Sequence, residues 1–165
     1  MTRVGLGFDV HAYSDDPARP LVLGGVTFAG ERGLAGHSDA DVVAHAVADA
    51  LLGAAGLGDI GTHFPDTDPV WAGADSVVLV RTVAGKVRDA GWAPGNVDCA
   101  VVLDTPRLAS NRQAMQARLS AAVGAEVTVK AKRPEGLGAL GRGEGVACWA
   151  VALVDAAPVP PAGRP

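Results

Sequence analysis

The chain predicts a mixed α/β fold in a single domain. Three observations carry this. Its 165 residues suffice for one domain with a real core and are too few for two. Strand-like alternation and helix-like periodicity intermix from end to end. No internal repeat or interdomain linker interrupts them. The domain is expected to cover residues 1–156. The tail 157–165, APVPPAGRP, is proline-rich and poor in apolar residues, so it is expected to be disordered and removable.

VGLGFDVHAY, residues 4–13, alternates as a half-buried strand does. Val4, Leu6, Phe8 and Val10 are expected on the core face, with Gly5, Gly7, Asp9 and His11 on a polar face. PLVLGGVTF, residues 20–28, reads as a second short strand, followed by a glycine-rich turn into GHSDAD. Ser38 with Asp41 three residues on reads as a capping box. Val43, Val47, Ala50, Leu51 and Ala54 then recur at helical spacing until Gly56. GDIGTHFPDTDP, residues 58–69, mixes Gly, Pro and three Asp without periodicity and predicts an ordered loop or lid. Beyond it, the patterns predict a helix over 75–90, a strand over 96–104, a helix over 108–123, and strands over 127–132 and 145–154.

Composition narrows the function. Hydrophobic residues make up 48% and charged residues 19%, more apolar surface than a small monomer buries, so subunit association is expected. A net charge of −4, without a Lys/Arg cluster among aromatics, argues against a nucleic-acid partner. The opening MTRVGLGFDVHAY lacks the apolar run of a signal peptide, and no stretch approaches the roughly 18 apolar residues of a membrane span. A cytoplasmic protein is expected, without a membrane partner. Cys99 and Cys148 lack CxxC spacing and read as buried free thiols.

The chemistry concentrates early. All four histidines, His11, His37, His45 and His63, fall in the first 63 residues, each within four residues of an aspartate. Asp9 and His11 lie two apart on a strand and project from one face, while His45 follows Asp41 by one helical turn. Two imidazoles and one carboxylate suit zinc, and three protein ligands leave a fourth position open for a substrate. Spacing alone leaves open that each histidine is separately hydrogen-bonded. His37 and Ser38 stand just before the helix, where free N–H groups and the helix dipole favour an anion; Ser38 as a simple cap is equally compatible. GLGALG, residues 136–141, has the spacing of a dinucleotide fingerprint, but the following GVACWAVALV reads as a strand rather than a helix and no GK[ST] follows, so neither nucleotide-loop motif applies. A flexible loop bringing Glu135 and Arg142 to a phosphorylated ligand stands beside a plain surface turn.

GFDVH, GHSDADVVAHAVADALLGAAGLGDIG, FPDTDP, GADS, GNVD and GRGEGVA occur in one order over residues 3–154. Together they resemble the 2-C-methyl-D-erythritol 2,4-cyclodiphosphate synthase family. The resemblance implies an α+β fold in which a mixed β-sheet carries helices on one face, assembled as a homotrimer with active sites between subunits. It implies conversion of 4-diphosphocytidyl-2-C-methyl-D-erythritol 2-phosphate to the 2,4-cyclodiphosphate with release of CMP, in non-mevalonate isoprenoid biosynthesis. Zinc would sit on Asp9, His11 and His45, and magnesium or manganese on Glu135. His37 would act on the phosphates beside Ser38, and Asp59, Gly61 and Asp66 would hold the erythritol portion. Leu103, Pro106, Arg107, Ala131, Lys132, Arg133 and Arg142 would bind the nucleotide.

Four residues in two places depart from the family pattern. Lys132, Arg133 and Pro134 replace a run of threonines, which places Arg133 where a threonine commonly donates to the phosphates, and Ala139 replaces an aromatic. An arginine can grip phosphate through two N–H groups but is far larger than threonine. Two other readings use the same residues: a metal-dependent phosphohydrolase that activates water, and a non-catalytic binder of zinc and nucleotide.

Overall fold

A computed structural model of the chain describes residues 1–157. Of the proline-rich tail, only Ala157 falls within it; 158–165 lie outside the described residues. One four-stranded sheet runs in the order β1 (Thr2–Ala12), β6 (Gly145–Ala156), β4 (Trp92–Val102), β5 (Glu126–Lys132). The β1–β6 and β6–β4 pairs are antiparallel and β4–β5 is parallel, which makes the sheet mixed. The helices α1 (Val42–Ala55), α3 (Ser76–Asp89) and α4 (Arg112–Val123) pack on one face of it.

The first strand faces the opposite way from its hydrophobicity. Gly5 and Gly7 are buried, whereas Val4, Leu6, Phe8 and Val10 are 65%, 66%, 47% and 51% exposed. The reason lies in helix packing. A Cβ on Gly5 would lie 2.0 Å from the Ala50 carbonyl oxygen, and one on Gly7 would lie 2.0 Å from that of Ala46. The glycines therefore form a groove, and α1 presses its alanines Ala46, Ala50 and Ala54 into it, one turn apart. Alternation located the two faces of β1, but the bare glycine face is the one that packs against helix backbone.

The remaining apolar side chains of β1 share the outer face with Trp149 and Val151 of β6, which are 40% and 45% exposed. Register pairs Phe8 with Trp149 and Leu6 with Val151, and the Phe8 and Trp149 rings sit 4.8 Å apart. In a single chain this is a contiguous exposed apolar patch.

The α1 boundary also differs from the sequence expectation. Its N-cap is Asp41, not Ser38: the Asp41 Oδ1 accepts from the Val43 and Ala44 N–H groups, 3.1 Å each. Asp41 is wholly buried, and its carboxylate also accepts from Gly24 and Gly25 at 2.8 and 2.6 Å. These glycines form the turn between β2 (Pro20–Leu23) and β3 (Val26–Arg32), a hairpin where one short strand was expected. Asp41 thus fastens the hairpin to the helix. At the other end Gly56 closes α1 in the left-handed conformation, φ 75°.

Asp75 caps α3, within a residue of the predicted start. Residues 108–111 form a turn before α4, which therefore begins at Arg112 rather than near Leu108. The 58–69 segment, expected as a loop, contains the single helical turn α2 (Ile60–His63), and a 3₁₀ turn follows at Pro69–Trp71. Another single turn, α5 (Gly138–Gly141), precedes β6. Cys99 and Cys148 are free and buried on the helix side of the sheet. Among the described residues, no helix is long and apolar enough to cross a membrane.

Candidate functional site

The glycine groove of β1 sets the site. By drawing α1 flush against the strand it brings His45, on α1, over Asp9 and His11, two successive residues on the same face of β1. Their ligand atoms converge. Asp9 Oδ2 lies 2.9 Å from His11 Nε2 and 2.9 Å from His45 Nδ1, and the two ring nitrogens are 3.2 Å apart. Gly36 leaves room for the His11 ring, because a Cβ there would approach its Cε1 to 3.1 Å.

The outer nitrogens decide the proton arrangement. His11 Nδ1 donates to the Ala35 carbonyl at 2.6 Å. His45 Nε2 lies 2.9 Å from the Ser76 hydroxyl oxygen and 3.1 Å from that of Ser38. With the outer nitrogens carrying N–H, the inner nitrogens point lone pairs at each other and at a carboxylate oxygen. Such a trio needs a cation or a proton between its members. Burial opposes charge on the His11 ring, yet the hydrogen bond and charge of Asp9 outweigh it and raise the His11 pKa. Burial likewise raises the Asp9 carboxyl, but where protons rather than a cation fill the trio, the hydrogen bonds and charge of the two histidines prevail and hold it well below the usual carboxylate range. The ligand atoms of all three residues lie within 4.8 Å of one another. Two nitrogens and one oxygen of this geometry fit a zinc-like divalent cation with room for a further ligand.

The trio lines a cavity of about 310 Å³ together with Gly36, His37, Ser38, Ile60, Gly61, Phe64, Asp66, Trp71 and Leu79. Phe64 and Trp71 meet edge to face, with ring centroids 4.9 Å apart. His37 Nε2 donates to the Asp68 carbonyl at 3.0 Å. Ser38 is buried, and its Oγ accepts from the Ala40 N–H at 3.2 Å. Arg19 fixes the segment by donating to the Ser38 and Leu34 carbonyls. The expected anion seat at the start of α1 is not open, because Asp41 takes the N–H groups of Val43 and Ala44. Any anion here meets side chains instead. Asp59 stands outside the cavity lining, and its Oδ1 caps α2 by accepting from the Thr62 N–H and hydroxyl at 2.8 and 2.7 Å.

A second cavity of about 220 Å³ gathers Leu103, Pro106, Arg107, Ala131, Lys132 and Arg133, six of the residues read as nucleotide contacts. Arg112, Asp104, Leu108 and Ala109 complete it, so four cationic side chains face one carboxylate. Arg133 donates to that carboxylate, Asp104, at 2.8 Å. The two cavities share no lining residue. Glu135, at φ 53° in the left-handed region, and Arg142, paired with Glu144 at 2.6 Å, line neither of them.

The sequence reading did not single out Asp39, Ser76, Phe64, Trp71 or Leu79. Ser76 is the clearest omission. It reads as the first residue of a helix, and nothing in spacing reveals that the fold carries it 31 positions back to His45.

Known proteins resemble the chain throughout. A 2-C-methyl-D-erythritol 2,4-cyclodiphosphate synthase of Bordetella petrii is 57% identical over 155 residues, covering 92% of this chain and 94% of that protein. The bifunctional enzyme IspD/IspF of Anaeromyxobacter dehalogenans is 53% identical over 91% of this chain, which corresponds to 39% of that protein. Among solved structures, the bifunctional IspDF from Campylobacter jejuni superposes with a TM-score of 0.89 at 40% identity, over 94% of this chain and 42% of its own. A 2C-methyl-D-erythritol-2,4-cyclodiphosphate synthase in a CDP-bound form gives 0.83 at 37%, over 93% of this chain and all of its own. The model of the YgbB family matches residues 2–155, and with relatives this similar across almost its whole length, the chain belongs to the YgbB family, that of the 2-C-methyl-D-erythritol 2,4-cyclodiphosphate synthases.

Proposed function

We propose that the protein converts 4-diphosphocytidyl-2-C-methyl-D-erythritol 2-phosphate to 2-C-methyl-D-erythritol 2,4-cyclodiphosphate and CMP, in non-mevalonate isoprenoid biosynthesis in the cytoplasm. The observation that carries this reading is the convergence of Asp9, His11 and His45 in a cavity that also holds His37, Ser38, Gly61 and Asp66. In the reaction an oxygen of the 2-phosphate attacks the β-phosphorus. A new P–O–P bridge forms, the bond from the β-phosphorus to the oxygen of the α-phosphate breaks, and CMP leaves with that oxygen. No side-chain nucleophile is required, since the attacking phosphate is already an anion near neutral pH.

The work of the site is to bring two anions together and stabilise the charge around phosphorus. When bound, zinc at the trio and magnesium or manganese at Glu135 would supply Lewis-acid charge to the phosphate oxygens. Ser38 retains a hydroxyl proton to donate. With its Nε2–H engaged by the Asp68 carbonyl, His37 meets the phosphates through Nδ1, which donates to them when the ring is protonated. Ile60, Phe64, Trp71 and Leu79 form an apolar wall, which strengthens these polar contacts by excluding water. Asp66 and the Gly61 backbone, which line the cavity, would receive erythritol hydroxyls, and Asp59, beside that lining, has one carboxylate oxygen left for the same purpose. Arg107, Lys132 and Arg133 suit the phosphate of the cytidine nucleotide, and the likeness to a CDP-bound synthase supports cytidine as its base.

Two features support a homotrimer with shared sites. The outer face of β1 and β6 leaves Val4, Leu6, Phe8, Val10, Trp149 and Val151 exposed, which favours burial against other subunits. The metal and nucleotide cavities are separate within one chain, while a single substrate must reach both chemistries. A site closed between neighbours meets that need and gives Glu135 and Arg142 a place beside it.

The test is product analysis on purified protein with its metal content measured. The expected result is a trimer with one zinc per chain that releases CMP and forms a cyclic diphosphate, identified by phosphorus NMR. A linear phosphate product would instead identify a hydrolase. CMP binding without turnover in the zinc-loaded trimer would identify a binder and end the proposal.

A further inference from the structure

We infer that Ser76 and Asp39 are positioning residues of the metal centre, a hydroxyl and a carboxylate in series that dictate which nitrogen of His45 faces the metal. This rests on the reading of Asp9, His11 and His45 as ligands and extends it to two residues outside that trio. Ser76 is wholly buried, and its hydroxyl has one proton. That proton is donated to Asp39 Oδ1 at 2.5 Å. Asp39 is in turn held by the backbone: its Oδ2 accepts from the Ser76 N–H at 3.0 Å and its Oδ1 from the Asp41 N–H at 3.1 Å.

With its proton committed to an anion, the Ser76 oxygen can only accept. Its nearest donor is His45 Nε2, 2.9 Å away, closer than the Ser38 hydroxyl at 3.4 Å, which itself lies 3.1 Å from that nitrogen, so the Ser76 contact assigns the N–H to Nε2. The lone pair of the ring is thereby assigned to Nδ1, the atom facing Asp9 Oδ2 and His11 Nε2. If the carboxylate were absent, the hydroxyl could rotate and donate to His45 Nε2, leaving a proton on Nδ1 where the metal must bind. His11 needs no such device, because a backbone carbonyl, that of Ala35, sets its tautomer. The two histidines are therefore oriented by different means, one by main chain and one by a removable side-chain pair. Outer groups of this type commonly govern both the orientation and the basicity of a ligating imidazole.

The experiment measures zinc affinity by competition with a chelator for the wild-type protein, Ser76→Ala, Asp39→Asn and Ser76→Thr, alongside the thermal midpoint of each metal-free protein. Zinc affinity is expected to fall about tenfold to a hundredfold in Ser76→Ala and in Asp39→Asn. Ser76→Thr, which keeps the hydroxyl, should stay near wild type. Cobalt substitution adds a spectroscopic readout: the visible bands should shift in the Ala and Asn variants and not in the Thr variant. Unchanged zinc affinity in both Ser76→Ala and Asp39→Asn overturns the inference, as does lower stability of the metal-free variants with affinity and cobalt spectrum intact. Should Ser76→Ala not fold, Asp39→Asn and Ser76→Thr still decide the matter. A wild-type protein that binds no zinc would overturn the metal reading itself and the relay with it, a result distinct from zinc bound equally by every variant.

Discussion

The cavity proposed for the metal and the cavity proposed for the nucleotide are built in contrasting ways. Around Asp9, His11 and His45 each functional atom has a partner within the same chain: Ala35 behind His11, Ser76 and Asp39 behind His45, Arg19 behind the Ser38 segment. Around Arg107, Arg112, Lys132 and Arg133 the side chains are cations with a single carboxylate among them, and the loop carrying Glu135 and Arg142 lies outside the cavity. A tightly oriented cluster is what a metal demands, since coordination tolerates little displacement. A cationic cavity instead derives its order from the phosphates it receives. On the proposed reading, the first half is ordered by partners within its own chain, and the second half is left for phosphates and a neighbouring subunit to complete.

The largest effect expected comes from removing a metal ligand. His45→Ala deletes one of three donors and leaves the Ser76–Asp39 pair in place, so the variant should fold and lose its zinc. Since a bound cation stabilises the transition state by several kcal/mol, CMP release should fall on the order of a thousandfold or more. Metal analysis and a steady-state assay check this. If the variant unfolds instead, the metal is structural, and the first half is not complete by itself.

Next in size is Gly7→Ala, one methyl placed where α1 rests on β1. The added carbon would sit 2.0 Å from the Ala46 carbonyl oxygen and 2.6 Å from the Ala50 nitrogen, both backbone atoms that cannot rotate away. The helix must lift, at a cost of about 3 kcal/mol, toward the upper end for an overpacked core. His45 lifts with it, so zinc affinity should fall together with stability. Denaturant unfolding and zinc titration measure both. Nearly normal stability with zinc retained would show that the helix can slide without carrying the site apart.

Much of this was legible in the sequence, and the failures have physical causes. Periodicity placed α1, α3, β5 and β6 within a few residues, because burial on one face writes a local pattern. The same rule misjudged β1, where Gly5 and Gly7 look polar by omission and are the deepest residues of the strand. It also placed Ser38 as a cap, since the capping signal in SDAD fits either Ser38 or Asp41, and only the hairpin turn at Gly24 and Gly25 decides for the aspartate. The metal trio could be proposed because two of its members are neighbours on a strand. Asp39 and Ser76 could not, because nothing local links residue 39 to residue 76. The family resemblance supplied the substrate and the nucleotide residues, which spacing would never have joined.

The smallest effect expected bears on the second half alone. Arg133→Thr restores the residue type common in the family and removes one of four cations from the nucleotide cavity. It also leaves Asp104 without its partner and nearer in effect to the incoming phosphate. The ion pair is largely exposed, with side chains 53% and 41% accessible, so its own contribution to stability is small. The loss should therefore appear in binding: CMP affinity weaker by about fivefold, close to 1 kcal/mol, with zinc content and thermal midpoint unchanged. Because the cause is charge in a solvent-accessible cavity, the difference should shrink as salt is raised through the range where the Debye length falls below about 10 Å. A titration of CMP at low and high ionic strength reads both quantities. Tighter binding by the threonine variant would mean that the bulk of Arg133 obstructs the cavity more than its charge assists. Any change in zinc content would mean that the two halves are coupled within one chain, against the separation that their distinct linings imply.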